Sequence, residues 1–173
     1  MTSPSDIKIA LERNEKVVRA RPSVGQGTAR TKVTLHPGLA CDVENGPWKF
    51  SVGMTEKYGG LNNGPNPGVY GRAALGACLA IGYGMWAARL DIPVRSLSVE
   101  VRANYDVRGE LAVDDSIRPG YLGMVYAITV DSPASDAEIT RWLDTADRYS
   151  SWLDDLRNPV PVTRQLEIIR SEG

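Results

Sequence analysis

Cys78 is the residue of this chain whose type and setting can do chemistry. It stands in the run Asn66-Pro67-Gly68-Val69-Tyr70-Gly71-Arg72-Ala73-Ala74-Leu75-Gly76-Ala77-Cys78-Leu79-Ala80, after the loop Gly59-Gly60-Leu61-Asn62-Asn63-Gly64-Pro65. A lone helical thiol among Leu, Ala and Gly is either a small buried hydrophobe or a sheltered redox centre, and it attacks an electrophile only as the thiolate. Ser150 falls at helical spacing with Trp142, Leu143, Ala146 and Leu153. A hydroxyl on such a stripe either bonds back to the preceding turn or faces a pocket, and the pocket is the reading taken here. Cys41 is in phase with Leu39 and Val43, which makes it a strand core residue and leaves a Cys41–Cys78 pair as an alternative.

The remaining candidates read as structure. His36, the sole histidine, lies in a Leu-His-Pro-Gly turn with no partner at metal-ligand spacing. Gly59-Gly60 and Gly64-Pro65 lack the strand, loop and lysine of a phosphate cradle and read as turns. Arg72 precedes Cys78 by six residues, about 120° around an ideal helix, so it points to the surface or an interface and not to the sulfur. Trp142 and Trp152 flank the Ser150 region and read as core or dimer contacts. No metal and no organic cofactor is assigned.

These side chains need elements to hold them. Apolar periodicity predicts an amphipathic helix over residues 6–20, capped by Ser5 and stopped by Pro22. Three strands follow, over 28–35, 39–44 and 48–54, the last two joined by a hairpin at Asn45-Gly46. Asn66 and Pro67 open a helix running to about Leu90, whose Gly71, Ala74, Gly76, Ala77, Gly82 and Gly84 point to close helix packing. Strands are expected over 96–107, with Leu97, Val99, Val101, Ala103, Tyr105 and Val107 inward, and over 121–130, with neither face solvated. The capping box Ser135-Asp136-Ala137-Glu138 starts one helix that continues to Leu156 and ends at Asn158-Pro159, and a last strand covers 162–169.

Composition bounds the rest. With 173 residues, 42% hydrophobic and 24% charged, the chain is expected to build one soluble domain with its own core. Lys plus Arg (20) and Asp plus Glu (21) nearly cancel, which argues against a nucleic-acid partner or an anionic membrane surface. The apolar run from Ala73 to Ala88 is shorter than the roughly 18 residues of a membrane span. Two cysteines make no disulfide framework, and the first residues lack the basic and apolar regions of a signal peptide, so a cytoplasmic location is expected.

The string Lys57-Tyr58-Gly59-Gly60, then Gly64-Pro65-Asn66-Pro67, then Ala73 to Leu79, resembles the OsmC/Ohr family of osmotically induced proteins and organic hydroperoxide reductases. The order of elements from about residue 28 onward is similar too. The resemblance implies an α+β fold in which antiparallel sheets wrap long central helices of an intertwined homodimer. It implies a single OsmC-like domain over residues 27–173, preceded by a helical extension over 1–26. It also implies thiol-dependent reduction of organic hydroperoxides in oxidative-stress defence, with Cys78 as the peroxidatic, catalytic cysteine.

Carried over by position, three of the family's helpers are replaced. Gly68 stands where the Asn-Pro-Glu motif has its glutamate, Pro37 where the reductases carry an arginine, and Ser150 where they carry the resolving cysteine. In the family the arginine favours the thiolate and the second thiol captures the sulfenic acid. Without them an external thiol reductant must close the cycle, with substrate held at the dimer interface near Ser150. The other implied reading is a non-catalytic dimeric scaffold binding a small apolar ligand.

Overall fold

In the computed structural model, which describes residues 3–170, five α-helices and five strands make up an α+β fold, with one helix before a run of three strands and two helices closing the order. Helix α1 spans Pro4–Ala20, starting two residues earlier than expected. Ser3, not Ser5, is the cap, because Asp6 three residues on completes a reciprocal capping box and Pro4 fits the first helical position. Pro22 disfavours helix at Arg21 and ends α1. Its Lys8 pairs with Asp91 at 2.5 Å and its Glu15 with Arg89, so α1 is tied to the far end of the next helix.

Strands β1 (Lys32–His36), β2 (Ala40–Asn45) and β3 (Trp48–Gly53) form an antiparallel meander, with Val33 opposite Val43 and Val43 opposite Phe50. The hairpin closes one residue later than its sequence signal. Asn45 pairs with Trp48 and the loop is Gly46-Pro47, with Gly46 at φ 55°. Proline cannot take positive φ or donate to the ladder, so the chain places Pro47 in the loop and out of the strand. Of the meander's apolar side chains, Ala40 and Val43 are buried, while Val33, Leu35, Trp48 and Phe50 are exposed. The expected half-buried face of the first strand is therefore not covered within one chain. Leu39 lies in the β1–β2 turn at φ 52°, exposed, and Cys41 in β2 faces Leu35 and Val52 in the ladder.

Helix α2 (Pro67–Arg89) is capped by the Asn66 side chain, which accepts from the Val69 N–H. Its Leu75, Leu79, Tyr83 and Ala87, four residues apart, form the buried stripe. Against it pack Trp142 and Ala146 of α4 (Asp136–Arg148) and Leu153 of α5 (Ser151–Arg157). Below lies the two-stranded antiparallel sheet of β4 (Ser96–Asn104) and β5 (Gly123–Asp131), presenting Leu97, Val99 and Val101 with Met124, Tyr126, Ile128 and Val130. Gly76 lets α2 come down on β4, since a Cβ there would sit 3.3 Å from Val101 Cγ2. Trp142 is fully buried and its indole N–H donates to the Tyr83 carbonyl at 2.9 Å.

Three expectations change. Strand β4 ends at Asn104, because Asp106 accepts from the Arg108 N–H and caps a single helical turn, α3 (Val107–Glu110), leaving Tyr105 exposed. Leu122 and Val125, expected to be covered, are exposed in the single chain. Residues 162–169 form no strand: no neighbouring strand of the same chain bonds to them, and Val162, Leu166, Ile168 and Ile169 lie open. Among the described residues no helix is long and apolar enough to cross a membrane. Replacing Trp142 with Ala is expected to cost about 3–5 kcal/mol, read as a lower urea midpoint with an unchanged denaturant slope.

Candidate functional site

The helix expected to run unbroken from residue 136 to 156 is interrupted at Tyr149 and Ser150, and the interruption builds the site. Tyr149 and Ser150 donate their N–H groups to the carbonyls of Ala146 and Asp147, tightening the last turn of α4. Two consecutive serines weaken the helix here by offering the backbone competing hydrogen bonds. Tyr149 swings out to stack on Trp86 of α2, with ring centroids 5.1 Å apart and an interplanar angle of 19°. The Ser150 carbonyl then accepts from Asp154 and starts α5.

Ser150 is 6% exposed, and its side chain makes no capping bond to α5, so the hydroxyl faces α2. There Cys78 Sγ lies 3.6 Å from Ser150 Oγ and 3.6 Å from Ser151 Oγ. The two residues singled out from sequence are thus brought together. Cys78 itself is half-buried. Burial pushes its pKa up, but the Trp152 N–H, the Ser150 and Ser151 hydroxyls and the Ser151 N–H all favour the thiolate, and together they hold it below the ordinary 9.0.

The groups that favour the thiolate are thus neutral. Arg72 does not reach the sulfur; its guanidinium donates to the Tyr121 hydroxyl at 2.9 Å, and that hydroxyl donates to the Gly68 carbonyl at 3.1 Å. The same groups occupy the space beside Gly68, where a Cβ would meet Tyr121 Oη at 3.0 Å, Asn66 Oδ1 at 3.2 Å and Arg72 Nη1 at 3.3 Å. Pro37 sits in the β1–β2 turn. His36, beside it, bonds Asp42 at 3.0 Å, and no cluster of metal-binding side chains occurs among the described residues. Cys41 and Cys78 are both free thiols on separate elements.

One feature of the site escaped sequence reasoning. The Asp147 carboxylate accepts from Tyr83 Oη of α2 at 2.6 Å and from Tyr126 Oη of β5 at 2.5 Å. Burial and the carboxylate together push both phenols up, so they remain donors across the working pH range. Asp147 follows Leu143 by four residues, and that in-stripe position was the available signal. An open groove of about 900 Å³ runs past Trp86, Asp136, Arg141, Asp144, Arg148 and Tyr149. Neither Cys78 nor Ser150 lines it.

Comparison with known proteins follows the same outline. The sequence model of the OsmC-like protein family matches residues 60–165. Among solved structures, an OsmC-like protein from Mycoplasma pneumoniae superposes with a TM-score of 0.68 at 14% identity, over 78% of this chain and 90% of that one. An organic hydroperoxide resistance protein OsmC from Legionella pneumophila gives 0.57 at 18% identity, over 76% and 90%. An organic hydroperoxide resistance protein from Elizabethkingia anophelis gives 0.55 at 16%, over 78% and 91%. No curated protein matches the chain. Such low identities establish the fold.

The geometry predicts the pH dependence of Cys78 alkylation by iodoacetamide, followed by peptide mapping. Its midpoint should lie below that of free cysteine measured under the same conditions. Replacing Ser150 and Ser151 together with Ala removes two donors to the thiolate and should move the midpoint upward.

Proposed function

The chain belongs to the OsmC-like protein family, whose model covers residues 60–165, and from that premise we propose that it reduces organic hydroperoxides with Cys78 as its only catalytic thiol. The observation that carries the reading is the half-buried sulfur with the Ser150 and Ser151 hydroxyls 3.6 Å away, a setting that favours its thiolate. The thiolate attacks the outer oxygen of the hydroperoxide, forming an S–O bond as the O–O bond breaks, and the alkoxide leaves and is protonated to the alcohol. The resulting sulfenic acid meets Ser150 where a resolving thiol would stand, and a hydroxyl cannot reduce it. An external low-mass thiol condenses with it, releasing water. A second equivalent then attacks the mixed disulfide and restores Cys78. Two solved relatives named organic hydroperoxide resistance proteins support this substrate class.

The working unit in this proposal is a homodimer. The single chain exposes 13479 Å² of surface, whereas a compact 18.8 kDa monomer exposes about 8,300 Å² by surface scaling. The excess, about 5,200 Å² for one chain, is at least what one protomer contributes to an obligate interface. Opposite the buried stripe of α2, Ala73, Ala77, Ile81 and Met85 are exposed, and Gly71, Gly82 and Gly84 face open space. A second copy seated on that face and along the unpaired apolar segment 162–169 would cover both. Cys78 lies on the flank of α2, about 60° from the Leu75 direction, so such a copy would wall in the sulfur and complete a substrate pocket near Ser150.

A second reading keeps the dimer and drops the redox cycle, leaving a scaffold for a small apolar ligand. It is favoured by the neutral surroundings of the sulfur, where Arg72 is engaged elsewhere. Cys78→Ser separates the two: consumption of cumene hydroperoxide with dithiothreitol as donor should fall to background, and an unchanged rate leaves only the scaffold. Ser150→Cys should convert the product of stoichiometric peroxide treatment from a sulfenic acid or mixed disulfide into an internal disulfide with Cys78, seen by mass spectrometry. Ile81, 64% exposed, gives the test of assembly: Ile81→Glu should shift the sedimentation coefficient from dimer to monomer.

A further inference from the structure

We infer that Asp147 is the positioning residue that sets the acidity of Cys78, acting through the α4–α5 break and not by its own charge. The inference builds on the thiolate site described above and does not depend on peroxide being the substrate. Asp147 fastens three elements at one point. Its Oδ1 takes the Tyr83 hydroxyl of α2 and its Oδ2 the Tyr126 hydroxyl of β5, while its backbone carbonyl takes the Ser150 N–H at 3.2 Å. Tyr83 is in turn fixed by the Trp142 indole, which donates to its carbonyl, and by an edge-on contact between the two rings. Tyr83 and Cys78 share α2, five residues apart. The carboxylate thus clamps the helix that carries the sulfur to the end of the helix from which its hydrogen-bond donors hang.

Side-chain hydrogen bonds act on a thiolate only at short range and in line. The Ser150 and Ser151 hydroxyls stand 3.6 Å from the sulfur, near the outer limit for such a bond, so a small outward drift of the break loses them. The titratable groups bonded to Asp147 are Tyr83 from α2 and Tyr126 from β5, and the charge of Arg157 from α5 acts on both phenols. A carboxylate acting merely as a nearby negative charge would oppose thiolate formation, and its removal would lower the thiol pKa. A clamp predicts the opposite sign.

The test is the pH profile of Cys78 alkylation in the full-length protein carrying Asp147→Ala or Asp147→Asn. The Ala variant should move the midpoint upward and slow alkylation at pH 7 by about three- to tenfold, as half to one unit of pKa requires. Asn can accept from one tyrosine and donate to the other, so Asp147→Asn should restore the profile. An Ala midpoint that is unchanged or lowered, or an Asn variant shifted as far upward as Ala, overturns the clamp. Should the Ala variant fail to fold, Tyr126→Phe removes one of the two tethers from the sheet side; an upward shift of the midpoint supports the clamp and none overturns it. Peroxide turnover is measured separately: a protein that lacks it in every form yet shows the Asn-reversible shift sinks the peroxidase reading alone.

Discussion

The organising constraint of this molecule is that a sulfur on one helix must be met by donors from the broken end of another. A continuous helix through residues 149 and 150 would direct its N–H groups along its own axis, and none would be free for Cys78. The interruption sets the Ser150 and Ser151 hydroxyls 3.6 Å from the sulfur, at the start of α5. Everything nearby serves to hold that interruption: the Trp86–Tyr149 stack on one side, the Asp147 carboxylate on the other, and the packed stripe of Leu75, Leu79 and Tyr83 beneath.

This arrangement replaces a point charge with distributed dipoles. A guanidinium beside a thiolate acts over several ångströms and tolerates displacement, whereas hydrogen bonds weaken steeply with distance and angle. A thiol tuned by hydroxyls and amides is therefore more dependent on the rigidity of its frame. The two tyrosines sharing one carboxylate are the rigid joint that such a design requires.

Much of this was legible in the sequence, and what was not has physical causes. Asn66-Pro67 and the Ser135–Glu138 box marked helix starts that the structure keeps, because capping is local chemistry. Leu97, Val99 and Val101 alternate as expected, since the sheet has one packed face. The proximity of Ser150 to Cys78 was implied by the family resemblance, which put Ser150 at the resolving position, whereas its in-stripe position alone said core or pocket. The break itself was hidden, because Tyr149 and Ser150 satisfy helical periodicity while the Trp86 ring that draws Tyr149 away is more than sixty residues distant. The Asp147 pair was hidden for the same reason. The strand expected at 162–169 has the right alternation, but a strand exists only with a hydrogen-bonded neighbour, which one copy of the chain does not offer.

The crowding at Gly68 bears on how such a site changes over generations. Its missing side chain is filled by the Tyr121 hydroxyl, the Asn66 cap and the Arg72 guanidinium, all within 3.3 Å of where a Cβ would stand. A longer residue installed there would crowd the cap that starts α2 and a tyrosine already bonded to the backbone beneath it, each of which would have to give by a few tenths of an ångström. Position 68 and position 121 are consequently epistatic. Enlarging residue 68 therefore calls for a displaced or smaller side chain at 121, and the two positions are expected to change together.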